Sequence, residues 1–172
     1  MTTADARETM LSRTLNDAAA LCMRRGASLT ELRRQVLGLI LSEAQPIGAY
    51  ALLDRLKAER PGAAPPTVYR ALDFLQEQGL VHKVERLNAY VGCAEPVAET
   101  CCHNHDHHHD HPAHDHGHPH QFLICRQCGK AIEMSDVGVQ SAIQAAAAKL
   151  GFHISSASVE VEGTCAECAG TA

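Results

Sequence analysis

Residues 67–92, TVYRALDFLQEQGLVHKVERLNAYVG, change their periodicity once, and that change decides the fold of the first half. Val68, Ala71, Leu72 and Leu75 recur at i, i+3, i+4 and i+7, which places them on one buried face of a helix opening at Thr67. Gly79 supplies the C-terminal stop. Arg70, Asp73 and Glu77 fall on the opposite side, Tyr69 on the flank, and Phe74 outward. From Leu80 the pattern alternates around a turn at Arg86-Leu87-Asn88 and reads as a short β-hairpin.

Upstream, residues 30–42 (TELRRQVLGLILS) give an amphipathic helix with Leu32, Val36, Leu39 and Ile40 inward and Arg33 and Arg34 outside. Residues 47–60 give a second, with Leu52, Leu53 and Leu56 inward, and PGAAPP (61–66) connects it to the helix at Thr67. Helix, turn, helix, then hairpin is a winged helix-turn-helix. Its recognition helix would present Thr67, Tyr69 and Arg70 near its N-terminus. Arginine is the commonest reader of guanine O6 and N7, and a helix N-terminus favours a phosphate.

The second half is chemically different. Residues 1–92 carry twelve Lys and Arg against ten Asp and Glu, whereas residues 93–172 carry three against ten. A mildly basic half followed by an acidic, His-rich half implies two domains with different tasks. Length and composition exclude a large enzyme scaffold, no apolar run is long enough to span a membrane, and no secretory signal opens the chain. A cytoplasmic location is therefore expected, where twelve His and eight Cys favour metal over disulfides.

Cys125-x-x-Cys128-Gly and Cys165-x-x-Cys168 are two knuckles with the spacing of one four-cysteine zinc site. Between them lie an expected strand (130–134), a helix (136–150) and a strand (158–161), so the metal would staple a whole small α/β domain. Four thiolates leave no open coordination position, which makes the site structural rather than catalytic. No nucleophile–base pair stands out, and no enzymatic activity is expected. The tract 101–120, CCHNHDHHHDHPAHDHGHPH, holds ten His in twenty residues and cannot form a core. A second site could combine His82 on the wing, Cys93 after it, Glu133 after the first knuckle and one His from the end of the tract. One thiolate, two imidazoles and one carboxylate suit four-coordinate zinc, whereas iron(II) would prefer nitrogen and oxygen alone.

The run Pro66-Thr67-Val68-Tyr69-Arg70-Ala71-Leu72, then His82-Lys83-Val84, then the two CxxC pairs, resembles the ferric uptake regulator family, most closely its zinc uptake regulator branch. The resemblance spans residues 28–169 apart from most of the His tract. It implies an α+β chain: a winged-helix DNA-binding domain (1–92), a hinge and His-rich loop (93–121), and a small α/β dimerisation domain (122–172). It further implies structural zinc at Cys125, Cys128, Cys165 and Cys168, and a sensing site of His82, Cys93, His118 and Glu133, about two Zn²⁺ per subunit. His116 and His120 compete with His118. Tyr50, Tyr69 and Arg70 match DNA-contacting positions, and Asp54 matches a position of dimer–dimer contact, with Lys57 where the basic partner is expected.

The function so implied is that of a zinc-responsive repressor that binds near-palindromic operator DNA as a homodimer and controls zinc-uptake genes. The rival readings are a sibling sensor of iron, manganese or peroxide, and a zinc buffer or metallochaperone working through the His tract.

Overall fold

The computed structural model describes residues 3–93 and 120–170. They fall into two compact units, Met1–Pro96 and Val97–Ala172. Among the described residues no helix is long and apolar enough to cross a membrane.

The first unit packs four helices, α1 (Thr3–Arg24), α2 (Glu31–Ser42), α3 (Ala49–Glu59) and α4 (Pro65–Glu77), with a hairpin of β1 (Val81–Val84) and β2 (Ala89–Gly92). The long N-terminal helix was not expected from the sequence. Ala18, Leu21 and Cys22 are its buried residues and Leu15 packs beside them, a stripe at helical spacing. The stripe joins a core made by Val36, Leu37 and Ile40 of α2, Leu52, Leu53 and Leu56 of α3, and Val68, Ala71, Leu72 and Leu75 of α4.

Three local expectations are corrected. First, α4 opens at Pro65 rather than Thr67. Proline is suited to a first helical turn because its missing N–H would have had no intrahelical acceptor there. Thr67 stays in the first turn, and Tyr69 and Arg70 move into the second. Secondly, Phe74 is buried, not outward. Thirdly, Arg33 and Arg34 are half-buried rather than outside. Arg33 stacks on Phe74 with its guanidinium carbon 3.5 Å from the ring centre. Arg34 reaches back to α1, donating to the Leu15 carbonyl (2.9 Å) and to Asn16 Oδ1 (2.7 Å).

The end of α4 follows from one glycine. Gly79 takes φ +65°, and its amide donates to the Gln76 carbonyl while the Leu80 amide donates to that of Leu75. That pair of bonds satisfies carbonyls the helix leaves open and turns the chain directly into β1. The hairpin is antiparallel, with His82 opposite Val91 and Lys83 opposite Tyr90, and its tip is a 3₁₀ turn (Glu85–Leu87) followed by Asn88 at φ 45°. Asparagine is among the few residues that enter this left-handed region readily. Tyr90 also exchanges backbone hydrogen bonds with Ile47, which ties the wing to the entry of α3.

The second unit is a three-stranded sheet in the order β4-β3-β5, from β3 (His120–Cys125), β4 (Ala131–Met134) and β5 (Ser158–Gly163), with helices α5 (Val137–Lys149) and α6 (Ala166–Ala169). The central strand, β3, precedes the first knuckle, so β4 and β5 flank it instead of pairing with each other. It runs antiparallel to β4, with Phe122 opposite Glu133, and parallel to β5, with Cys125 opposite Gly163. The Asp136 carboxylate caps α5 by accepting from the Val139 amide at 2.9 Å.

Candidate metal centre and nucleic-acid interface

The two knuckles are carried on separate parts of the second unit, and backbone pairing brings them together. Cys125 is the last residue of β3, and the Arg126 amide donates to the carbonyl of Gly163 at the end of β5 (2.9 Å). Cys165 caps α6 and Cys168 lies within it. In the first knuckle the chain turns back at Gly129, φ +72°, whose amide donates to the Cys125 carbonyl.

The four ligand atoms all lie within 4.8 Å of one another, and Cys128 Sγ stands 3.8 Å from Cys165 Sγ. Four sulfurs at about 2.3 Å from one tetrahedral ion stand about 3.8 Å apart, so the cluster has the size zinc requires. It is far too open for a disulfide, and all six described cysteines are free thiols.

The electrostatics favour a cation there. Amides of Cys128 and Cys165 aimed at the Cys125 sulfur lower its pKa to about 6. The neighbouring Cys165 thiol, then burial, push Cys168 up to about 12. Cys128 is pulled down by the Lys130 amide, but the Cys125 thiol and burial outweigh that and raise it. Without metal the four thiols cannot all ionise side by side; a divalent cation removes that conflict.

Lys130 and Glu167, which spacing did not single out, form an ion pair of 3.2 Å between the knuckles. Each follows a cysteine by two residues, and that charge complementarity was the available signal.

The remaining expected ligands distribute as follows. His82 is buried in β1, and Cys93 follows β2 with its amide donating to the Leu80 carbonyl at 3.0 Å. That bond holds Cys93 alongside β1, and its thiol and a ring nitrogen of His82 lie within 4.8 Å of one another. Glu133 sits on β4 of the second unit, half-buried, on the sheet face it shares with Phe122. His118 and His116 lie outside the described residues, as do Cys101 and Cys102. His120 opens β3.

Of the expected DNA-contacting residues, Tyr50 on α3 is 69% exposed and Tyr69 on α4 is 41% exposed. Arg70 is exposed and Thr67 half-exposed, both on α4. Several other cations of this unit are held internally: Arg25 donates to the Gln78 carbonyl, Arg55 pairs with Glu43, and Arg60 donates to Gln35. Arg70 makes no such bond among the described residues. A positive, unspent guanidinium on the helix before a wing is what a base-reading surface needs.

The family model described as ferric uptake regulator family matches residues 24–116. A zinc uptake regulation protein of Escherichia coli (strain K12) is 40% identical over 154 residues, which cover 90% of this chain and 80% of that protein. The chain belongs to the ferric uptake regulator family. Within the family it is a member of the zinc uptake regulator branch. A solved zinc uptake regulator complexed with zinc and DNA is 37% identical, covers 99% of this chain and 98% of that one, and superposes with a TM-score of 0.79. The crystal structure of a holo zinc uptake regulator, XcZur, is 40% identical over 91% of this chain and 96% of that one, with a TM-score of 0.74.

Proposed function

We propose that this family member is a zinc-responsive transcriptional repressor: loaded with zinc, it binds operator DNA as a homodimer and shuts down zinc-uptake genes. The observation that carries the reading is the similarity, over nearly the whole chain, to a zinc uptake regulator complexed with zinc and DNA. The exposed, unspent Arg70 on α4 supports it independently.

In this reading Cys125, Cys128, Cys165 and Cys168 hold a permanent structural zinc. His82, Cys93, His118 and Glu133 hold the sensed one, giving about two ions per subunit. The thiol of Cys93 beside the imidazole of His82 favours zinc over iron(II) in the second site. Zinc there neutralises a thiolate and a carboxylate, and it makes ordering of the chain depend on the free metal concentration. Tyr50, Thr67, Tyr69 and Arg70 face the DNA.

The second unit supplies a reason to dimerise. Ile132, Leu123 and Val161 are neighbours in one row across the sheet, 43–49% exposed, and line an apolar groove of ≈ 320 Å³. Helix α5 buries none of its residues, and Val137, Leu150 and Phe152 at its ends are exposed. A second copy would cover this apolar surface. The working protein is then a regulator in the cytoplasm, not an enzyme.

A DNA selection on the purified chain, in metal-free, zinc-buffered and anaerobic iron(II) conditions, tests the proposal. One palindrome enriched with zinc alone is the expected result. Enrichment with iron alone would make the protein an iron sensor. Several bound zinc ions with no enrichment would leave the buffer reading in its place.

A further inference from the structure

We propose that Lys130 and Glu167 form a clasp across the mouth of the four-cysteine site, and that this clasp sets how slowly its metal is lost. The inference rests on the reading of that cluster as a zinc site.

The two cysteines of each knuckle are not equally held. Cys125 is fixed by sheet pairing to Gly163, and the Cys165 amide lies 3.4 Å from the Cys125 sulfur, so the first cysteines of the two knuckles share a rigid frame. Their second cysteines stand outside the sheet. Cys128 lies within the tight turn closed by the Gly129 amide on the Cys125 carbonyl, and Cys168 lies in α6, a helix of four residues. An isolated turn of helix has almost no stability of its own. Loss of zinc from a closed tetrahedral site must begin with one thiolate leaving, a step that parting of the two knuckles at Cys128 and Cys168 would permit.

Lys130 Nζ donates to Glu167 Oε1 at 3.2 Å, joining the residue two beyond Cys128 to the residue just before Cys168. The pair therefore links the two knuckles directly, beside their second cysteines. Its side chains are 40% and 76% exposed, so it adds little to folding stability. Its effect falls on the opening of the site, a local event that needs only the two knuckles to part.

The test uses the full chain loaded with zinc and cleared of loosely held metal by a weak chelator. A strong chelator in excess then draws out the retained zinc, and the release rate is followed by absorbance. Lys130→Met and Glu167→Gln should each release zinc about two- to five-fold faster at low salt, the range expected of one exposed ion pair. The difference should vanish near ~1 M salt, where the Debye length is about 3 Å. Lys130→Arg and the charge-swapped Lys130→Glu/Glu167→Lys should return to within about two-fold of wild type. Wild-type rates in both single variants would overturn the clasp. So would faster release from Lys130→Met with slower release from Glu167→Gln, because Lys130 would then act only as a charge beside the thiolates. A wild-type chain that retained no zinc after the weak chelator would overturn the zinc-site reading itself, and the clasp with it.

Discussion

Arg33 covers Phe74: the guanidinium carbon of one helix stands over the ring of another, 3.5 Å from its centre, while the same Arg33 donates to the Ser28 carbonyl at 2.7 Å. The contact closes the side of the recognition helix that packs on α2. A partly desolvated cation–π contact contributes about 0.5–2 kcal/mol. Arg33→Ala should therefore lower unfolding stability by about 1 kcal/mol, and Phe74→Ala by about 3 kcal/mol, since it removes a buried aromatic. Chemical denaturation followed by far-ultraviolet circular dichroism measures both, and a double-mutant cycle isolates the contact. Zero coupling between the two positions would remove it from the account of how α4 is held.

The same pair marks a limit of sequence reading. Helix period put Val68, Ala71, Leu72 and Leu75 on the core face correctly, because each position's burial depends on one helix's own stripe. Phe74 lies beside that stripe, and whether it is covered depends on a side chain from another element, which no local pattern encodes. The unexpected α1 has a related cause: its buried stripe is short and small, with Ala18 and Cys22 among its members, so it gives a faint signal. The knuckles were legible for the opposite reason. Cysteine pairs at fixed spacing are rare, and tetrahedral zinc demands them. The central place of β3 was not legible, because strand order is a property of pairing across the chain rather than of any one segment. The ligand expected from the end of the His tract stays a proposal, for His118 lies outside the described residues.

Metal should matter far more to the second unit than to the first. Among its described residues few are buried, Gln121, Phe122, Ile124 and Cys125, whereas the first unit holds the extended core. Structural zinc in small domains contributes apparent free energies on the order of 10–16 kcal/mol. Cys128→Ser, or prolonged treatment with a strong chelator, should therefore unfold β3, β5 and α6 while α2–α4 remain folded. Amide hydrogen exchange read by peptide mass spectrometry resolves the two. Protection lost equally in both units would mean that the cysteine cluster staples more than its own domain.

The sensed and structural ions should separate genetically. Cys93→Ser keeps the backbone bond to Leu80 and the four-cysteine cluster, and removes the soft ligand proposed next to His82. The variant should retain about one tightly held zinc per chain and lose zinc-dependent DNA binding by tenfold or more, about 1.4 kcal/mol. Zinc titration with a fluorescent operator duplex reads both. Unchanged zinc dependence would exclude Cys93 as a ligand and would favour a site of nitrogen and oxygen donors.

Arg70 carries the sharpest claim about DNA. It stands exposed on the second turn of α4, and no carboxylate or carbonyl among the described residues engages its guanidinium. Replacing it with Ala should cost about 1–3 kcal/mol on the selected operator and flatten the preference at one base pair per half-site. Arg70→Lys should recover part of the affinity and little of the preference, because an ammonium keeps the charge and loses the two-pronged geometry that guanine recognises. A phosphate contact would behave differently. Its loss would weaken all sequences alike and reduce the slope of log affinity against log salt by about one. Competition binding at several salt concentrations, on operator and scrambled duplexes, distinguishes the two. A uniform loss would make Arg70 an anchor on the backbone and shift the search for the base reader to Tyr69 and Thr67.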